Sequence, residues 1–204
     1  MSEFIVETIG MLESNCYLVF IDTSRRLYII DPGSEPETIV AATKKFDYDE
    51  AVILLTHAHV DHIGATRPVM DELGVKHVYL HRLDVPLYNS PDNHLMPFVP
   101  LSKNLPLTSP EIPLPDFELL ETPGHTRGGV CFYFKQLPAL FSGDTLFAGS
   151  IGRTDLPGGD TAALLKFIKE KIMTLPDELR ICPGHGPSTT VSKEKRGNPF
   201  LAGR

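Results

Sequence analysis

Three short apolar runs open the chain, Phe4 to Ile9, Asn15 to Ile21 and Leu27 to Ile30, rich in β-branched and aromatic residues and divided by Glu13-Ser14 and Ser24-Arg25-Arg26. Runs of this length predict strands, and the short polar breaks between them predict an antiparallel meander. Asp31-Pro32-Gly33 ends the pattern. Ser34 is then a candidate cap, and Glu35 to Phe46 carries apolar residues at helical spacing, with acids first and lysines last. A strand is predicted over Ala51 to Leu55, a helix over Ala65 to Leu73 closed by Gly74, and a short strand over His77 to Leu80.

Between Asp84 and Pro115, Pro86, Pro91, Pro97, Pro100, Pro106, Pro110, Pro113 and Pro115 interrupt any long element. That density predicts an irregular surface excursion able to overhang a site. Strands are then expected over Phe117 to Glu121, Val130 to Phe134 and Ala139 to Ser142, a helix over Thr161 to Thr174, and a strand over Arg180 to Cys182. Two β-rich halves, each followed by helices, predict two sheets packed face to face with helices outside: an α/β (α+β) fold, a four-layer αββα sandwich. A chain of 204 residues suits one such domain over 1–204.

Composition narrows the functional classes. No stretch approaches the ~20 apolar residues of a membrane span, so the chain is expected to be soluble and away from membranes. Met1-Ser2-Glu3-Phe4 lacks the basic start and apolar core of a signal peptide, so a cytoplasmic location is expected. The net charge of -7, with no basic run, opposes nucleic-acid binding, which depends on clustered cations. Cys16, Cys131 and Cys182 are odd in number and form no C-x-x-C pair, so buried, reduced thiols are expected rather than a disulfide framework or a thiolate zinc site.

The densest chemistry lies in Thr56-His57-Ala58-His59-Val60-Asp61-His62-Ile63-Gly64, directly after a buried strand. On an extended exit, positions i and i+2 point the same way, so His57 and His59 can grip one ion, while Asp61 and His62 turn toward another point. Imidazole nitrogen and carboxylate oxygen suit zinc, iron or manganese, and two adjacent chelating pairs imply two cations. Three more ligand candidates follow predicted strands in Gly-bearing turns: His125 in Thr122-Pro123-Gly124-His125-Thr126, Asp144 in Ser142-Gly143-Asp144-Thr145, and His185 in Pro183-Gly184-His185-Gly186. His77, His81 and His94 match no such segment, and structural or surface roles are expected for them.

In this order the four segments resemble the metallo-β-lactamase superfamily over nearly the whole chain. The resemblance implies that His57, His59 and His125 hold one metal, that Asp61, His62 and His185 hold the other, and that Asp144 bridges them. Asp61 and Asp144 are the candidate catalytic carboxylates. Two divalent transition-metal ions, zinc first and iron or manganese as alternatives, lower the pKa of a shared water, orient the resulting hydroxide and polarise the carbonyl it attacks.

Phe141 to Phe147 with Gly152-Arg153-Thr154-Asp155 is similar to glyoxalase II enzymes, which hydrolyse hydroxyacyl-glutathione thioesters. The pattern Gly152 to Gly159, the segment Pro183 to Pro187 and the ending Lys193-Glu194-Lys195-Arg196-Gly197-Asn198-Pro199-Phe200-Leu201 resemble the short bacterial branch of that family. There a basic residue after the bridging aspartate anchors a substrate carboxylate, which makes Arg153 the candidate; the same guanidinium could instead brace its loop by pairing with Asp155. The implied partner is a small thioester substrate such as lactoyl-glutathione, and the implied assembly a monomer or small homo-oligomer. The Gly152 to Asp155 segment is also shared with iron-dependent persulfide dioxygenases, and a metal-stabilised binding module is the non-enzymatic alternative.

Overall fold

The computed structural model describes residues 1–202 apart from 96–98, 100–101, 103 and 112–115. The chain divides into two compact units, Met1–Asp116 and Phe117–Arg204.

In the first unit β1 (Glu3–Ile9), β2 (Ser14–Ile21), β3 (Arg26–Ile30), β4 (Glu50–Leu54) and β5 (Val78–Tyr79) form one sheet in that order. The first three strands are the expected antiparallel meander, with Leu18 opposite both Ile5 and Ile29. From β3 onward the pairing is parallel, which requires crossovers. Helix α1 (Pro36–Thr43) supplies the first, and α2 (Val60–Ile63) with α3 (Thr66–Leu73) supplies the second. Leu18, Phe20, Leu27, Ile29, Ile53 and Leu55 share a buried cluster with Ile39 of α1 and Val69 of α3. Each such side chain contributes about 1.5–3 kcal/mol by leaving water. Tyr17, Val19 and Ile21, on the other face of β2, are also buried, so that strand reads as a continuous apolar run instead of an alternating one.

Two local expectations are corrected here. Ser34 does not cap α1: Glu35 occupies that position with a φ of 49 and no side-chain cap bond, and Pro36 begins the helix. The missing N–H of a proline costs nothing in a first turn, so no cap is required for that group. The Glu35 carboxylate instead accepts from the Gly10 backbone N–H at 2.9 Å. The stretch after Asp84 is also less irregular than its prolines suggest. It contains α4 (Val85–Tyr88) and a 3-10 turn over Pro91–Asn93, with Pro86 and Pro91 starting elements rather than breaking them. Pro97, Pro100, Pro113 and Pro115 lie outside the described residues.

In the second unit β6 (Glu118–Glu121), β7 (Val130–Phe134), β8 (Ala139–Gly143), β11 (Arg180–Pro183) and β12 (Thr189–Thr190) form a sheet in the order β12-β11-β8-β7-β6, and β9 (Leu146–Phe147) pairs with β10 (Ser150–Ile151) in a small hairpin. Helix α5 (Thr161–Phe167), capped by Asp160, continues as a π turn over Ile168–Ile172, so the predicted uniform helix changes pitch midway. Leu164, Ile168 and Ile172 keep one face on a cluster with Leu120, Cys131, Leu140 and Ile181. Helix α6 (Val191–Gly197) was not expected from its nearly all-polar pattern; Thr190 caps it by accepting from the Lys193 N–H at 3.3 Å. Among the described residues no helix is long and apolar enough to cross a membrane.

Candidate metal centre

Because β3, β4 and β5 run parallel, the chain leaves all three at the same edge of the first sheet, where functional groups collect in such sheets. Asp31 leaves β3, the Thr56 to His62 segment leaves β4, and Asp84 lies beyond β5. Asp31 has a φ of 54, a left-handed conformation that Asp tolerates better than most residues. Its Oδ1 accepts from the Thr56 N–H at 2.7 Å, while its Oδ2 accepts from the Thr56 hydroxyl at 2.6 Å and from His62 Nδ1 at 2.9 Å. The Thr56 oxygen lies 3.0 Å from His57 Nδ1, and with its own proton committed to Asp31 it must accept from that nitrogen. Both rings therefore carry a proton on Nδ1, and in the neutral imidazole this leaves Nε2 unprotonated, the tautomer a metal ligand needs.

Asp31, His57, His59 and His62 are all buried. His59 precedes α2 in an extended conformation, and its ring meets that of His57 edge-on at 4.9 Å. Asp84, with no exposed surface, accepts from the Ala58 N–H at 3.1 Å and so fastens the turn between those two histidines. Asp61 lies on the first turn of α2, its carbonyl held by the Ser14 hydroxyl at 2.8 Å. The His62 Nε2 to Asp61 Oδ2 distance is 3.5 Å. Beside Asp61 opens a cavity of about 510 Å³, lined by Ile9, Met11, Leu12, Val60, Pro68 and Val99 among others.

The second unit repeats the device. Strands β6 and β8 both run antiparallel to β7, and β11 runs parallel to β8, so His125, Asp144 and His185 leave one edge of that sheet. Gly124, at φ 139, makes the turn before His125; a Cβ there would meet Leu164 backbone and side-chain atoms at 2.5 Å. The turn is also tied by Asp160, whose N–H donates to the Gly124 carbonyl at 2.7 Å. His125 Nδ1 donates to the Arg153 carbonyl at 2.7 Å, since a carbonyl can only accept, and the neutral ring in this tautomer offers Nε2 to a metal. His125 Nε2 and His185 Nε2 lie 3.6 and 3.8 Å from the same oxygen of Asp144.

These spacings test the donor set for metal. Around a tetrahedral ion with bonds of ~2.1 Å, neighbouring ligand atoms sit roughly 3.4 Å apart, whereas a direct hydrogen bond would draw them to ~2.9 Å. The values of 3.5, 3.6 and 3.8 Å match ligands arranged around an ion rather than bonded to one another. Asp31 also lies close to His57 and His62, but its oxygens already hold Thr56 and His62, so it orients ligands instead of serving as one.

The predicted site residues thus gather in two sets, His57, His59, Asp61 and His62 in one unit and His125, Asp144 and His185 in the other. Arg153 holds Asp155 through a two-pronged contact, Nε to Oδ1 and Nη2 to Oδ2, both at 2.8 Å. That guanidinium keeps the Asp155 carboxyl down to about 2. His77, His81 and His94 join no ligand group among the described residues. All three cysteines are free and buried, and burial pushes the Cys131 and Cys182 thiols up to about 11 and Cys16 well above its ordinary value. Sequence reasoning missed Asp31, Thr56 and Asp84 as orienting groups. The placement of Asp31 and Asp84 beyond consecutive parallel strands was the available signal; nothing marked the Arg153 carbonyl.

The model of the metallo-beta-lactamase superfamily matches residues 9–185, and the chain belongs to that superfamily and has its fold. Hydroxyacylglutathione hydrolase GloC of Haemophilus influenzae is 35% identical, covering 93% of each chain. Among solved structures, the B3 metallo-beta-lactamase BLEG-1 is 36% identical with a TM-score of 0.87, covering 98% of this chain and 100% of its own. TTHA1623, solved in a di-iron-bound form, is 42% identical with a TM-score of 0.82, covering 97% of this chain and 100% of its own.

Proposed function

We propose that the chain is a metal-dependent thioesterase acting on hydroxyacyl-glutathione-type substrates such as lactoyl-glutathione, with residues 1–204 working as one catalytic domain. The observation that carries this reading is the set of imidazole-carboxylate pairs at ligand spacing, with His57, His62 and His125 each fixed through Nδ1. On this reading His57, His59 and His125 hold one divalent transition-metal ion, Asp61, His62 and His185 the other, and Asp144 both. Zinc is the first candidate metal; the di-iron relative keeps iron in view, and manganese suits the same donors. A bound metal pair supplies an activated water and polarises the thioester carbonyl.

The chain's own residues do the rest. Asp31 and the Arg153 carbonyl keep the ligand tautomers, and the cavity beside Asp61 offers apolar walls to the acyl portion. An exposed Arg-Asp pair contributes little in water, so a substrate carboxylate can displace Asp155 from Arg153 at little cost. The cysteines are buried and protonated, which leaves no thiolate to act as nucleophile. Similarity to a hydroxyacylglutathione hydrolase supports the thioester substrate. The Gly152 to Asp155 segment, which resembles that of iron-dependent persulfide dioxygenases, supports the persulfide dioxygenase as the second reading.

The test is a panel assayed on one preparation: lactoyl-glutathione, other acyl-glutathiones and a chromogenic cephalosporin. Thiol release that disappears on chelation and returns with zinc, iron or manganese is expected. Cleavage of the cephalosporin without cleavage of any thioester would move the substrate class, and inactivity toward all of them would sink the hydrolase reading.

A further inference from the structure

Glu194, on α6, is only 3% exposed, yet its carboxylate has no cation within ion-pair distance among the described residues. A carboxylate taken out of water needs its oxygens satisfied by donors. Its Oε1 accepts from the Thr189 hydroxyl at 2.6 Å, and its Oε2 accepts from the Gly149 N–H at 2.9 Å and from Asn198 Nδ2 at 2.8 Å. The same Asn198 amide also donates to the Ser150 carbonyl at 3.1 Å. Two side chains of the C-terminal segment thus grip the N–H and the carbonyl of adjacent residues, Gly149 and Ser150, at the tip of the β9–β10 hairpin.

Both stems of that hairpin run into the metal-ligand set of the second unit. Asp144 lies just before β9, and Arg153, whose carbonyl fixes His125 Nδ1, lies just after β10. At the base the stems touch so closely that a Cβ on Gly152 would fall 1.8 Å from the Asp144 carbonyl. The Phe147 ring, on β9, lies 6.3 Å from the ring of His185. A hairpin with two-residue strands is stiff over roughly 7 Å, at ~3.4 Å per residue, so a displaced tip moves its base. We propose that Glu194, seconded by Asn198, is a positioning residue that holds this hairpin so that His125 and Asp144 stay in metal-binding register. Neither side chain touches a ligand; both act through the Gly149-Ser150 backbone. This assigns a role to the Lys193 to Leu201 ending, and it rests on the metal-ligand reading but not on any substrate.

The test measures metal affinity of the full chain by competition with a chromophoric chelator, together with the visible absorption of the cobalt-substituted protein, which reports coordination geometry. Glu194→Ala removes all three acceptor contacts, and affinity should fall by roughly tenfold or more, the usual effect of losing a ligand-supporting contact, with a changed cobalt spectrum. Glu194→Gln should rescue both to within about threefold, since one oxygen can keep Gly149 and Asn198 while the amide donates to the Thr189 hydroxyl. Asn198→Ala should give a smaller loss in the same direction, and it replaces Glu194→Ala as the deciding variant if the latter does not fold. Parental affinity and spectrum in the deciding variant, whatever its melting temperature, would overturn the proposal and reduce Glu194 to a fold-stabilising residue. Turnover of thioester plays no part in these readouts, so a failed substrate assignment leaves them interpretable.

Discussion

Asp31→Asn is the substitution whose consequences the structure defines most fully. It is nearly isosteric and removes the charge, but its main effect is to replace one acceptor oxygen by an NH₂ group. If the amide oxygen keeps the Thr56 N–H, the NH₂ faces the Thr56 hydroxyl and His62 Nδ1, both of which now donate. Hydrogen bonds to a charged acceptor contribute about 1.5–3 kcal/mol each, so two lost bonds set an upper range of roughly 3–6 kcal/mol. Local rearrangement recovers part of it, and a net loss of about 2–4 kcal/mol is expected. At ~2–4 °C per kcal/mol for a chain of this size, the melting temperature of the metal-free protein should drop by roughly 5–15 °C. The metal effect is separate: His62 can meet the new NH₂ only by moving its proton to Nε2, which spoils the ligand atom, so affinity should fall ~10–100-fold. Calorimetric melting in chelator and metal content after dialysis read the two effects independently. An Asp31→Asn protein that melts within about 1 °C of the parent and keeps its full metal content would refute the orienting role and the tautomer argument with it.

Gly124→Ala forces a Cβ into Leu164 at a φ of 139, and a destabilisation of about 2–4 kcal/mol is expected in a denaturant titration, with weaker metal binding through His125. Asp144→Ala should lower both metal content and turnover by at least ~10-fold, and an unchanged ion count would show the bridge to be misplaced. Arg153→Ala should raise KM for lactoyl-glutathione more than it lowers kcat, the pattern of lost uniform binding. Asp155 in the parent should titrate by NMR near 2 and return toward ~3.9 in Arg153→Ala. A folded pKa below the unfolded one means that the pair's contribution is present above the unfolded value and lost as pH falls through about 2; a midpoint unmoved by the substitution would deny the ion pair in solution.

The sequence reading succeeded where a local pattern carries the physics. The meander of β1 to β3 follows from apolar runs with polar breaks, and α3 from its terminal Gly74. It failed where the determinant is a tertiary partner. Helix α6 has too little apolar periodicity to be seen, because it is anchored through the buried carboxylate of Glu194 rather than by a broad apolar face. Ser34 has the right chemistry for a cap, but Pro36 had already removed one N–H that a cap would serve. The prolines at 86 and 91 read as breakers although both sit in first turns. Asp31 looked like a turn residue, and only the parallel pairing of β3 with β4 brings it to Thr56 and His62.

The central claim is that this chain cleaves thioesters hydrolytically with a metal pair held by its histidines and aspartates. The most direct test is thiol release from lactoyl-glutathione by iron-loaded protein under strict exclusion of oxygen, with glutathione persulfide and oxygen supplied to the same preparation in parallel. Hydrolysis takes its oxygen from water, so the account predicts undiminished thiol release without O₂ and no oxygen uptake with persulfide. Oxygen consumption with persulfide and no anaerobic thioester cleavage would contradict it and assign the site to the dioxygenase class instead.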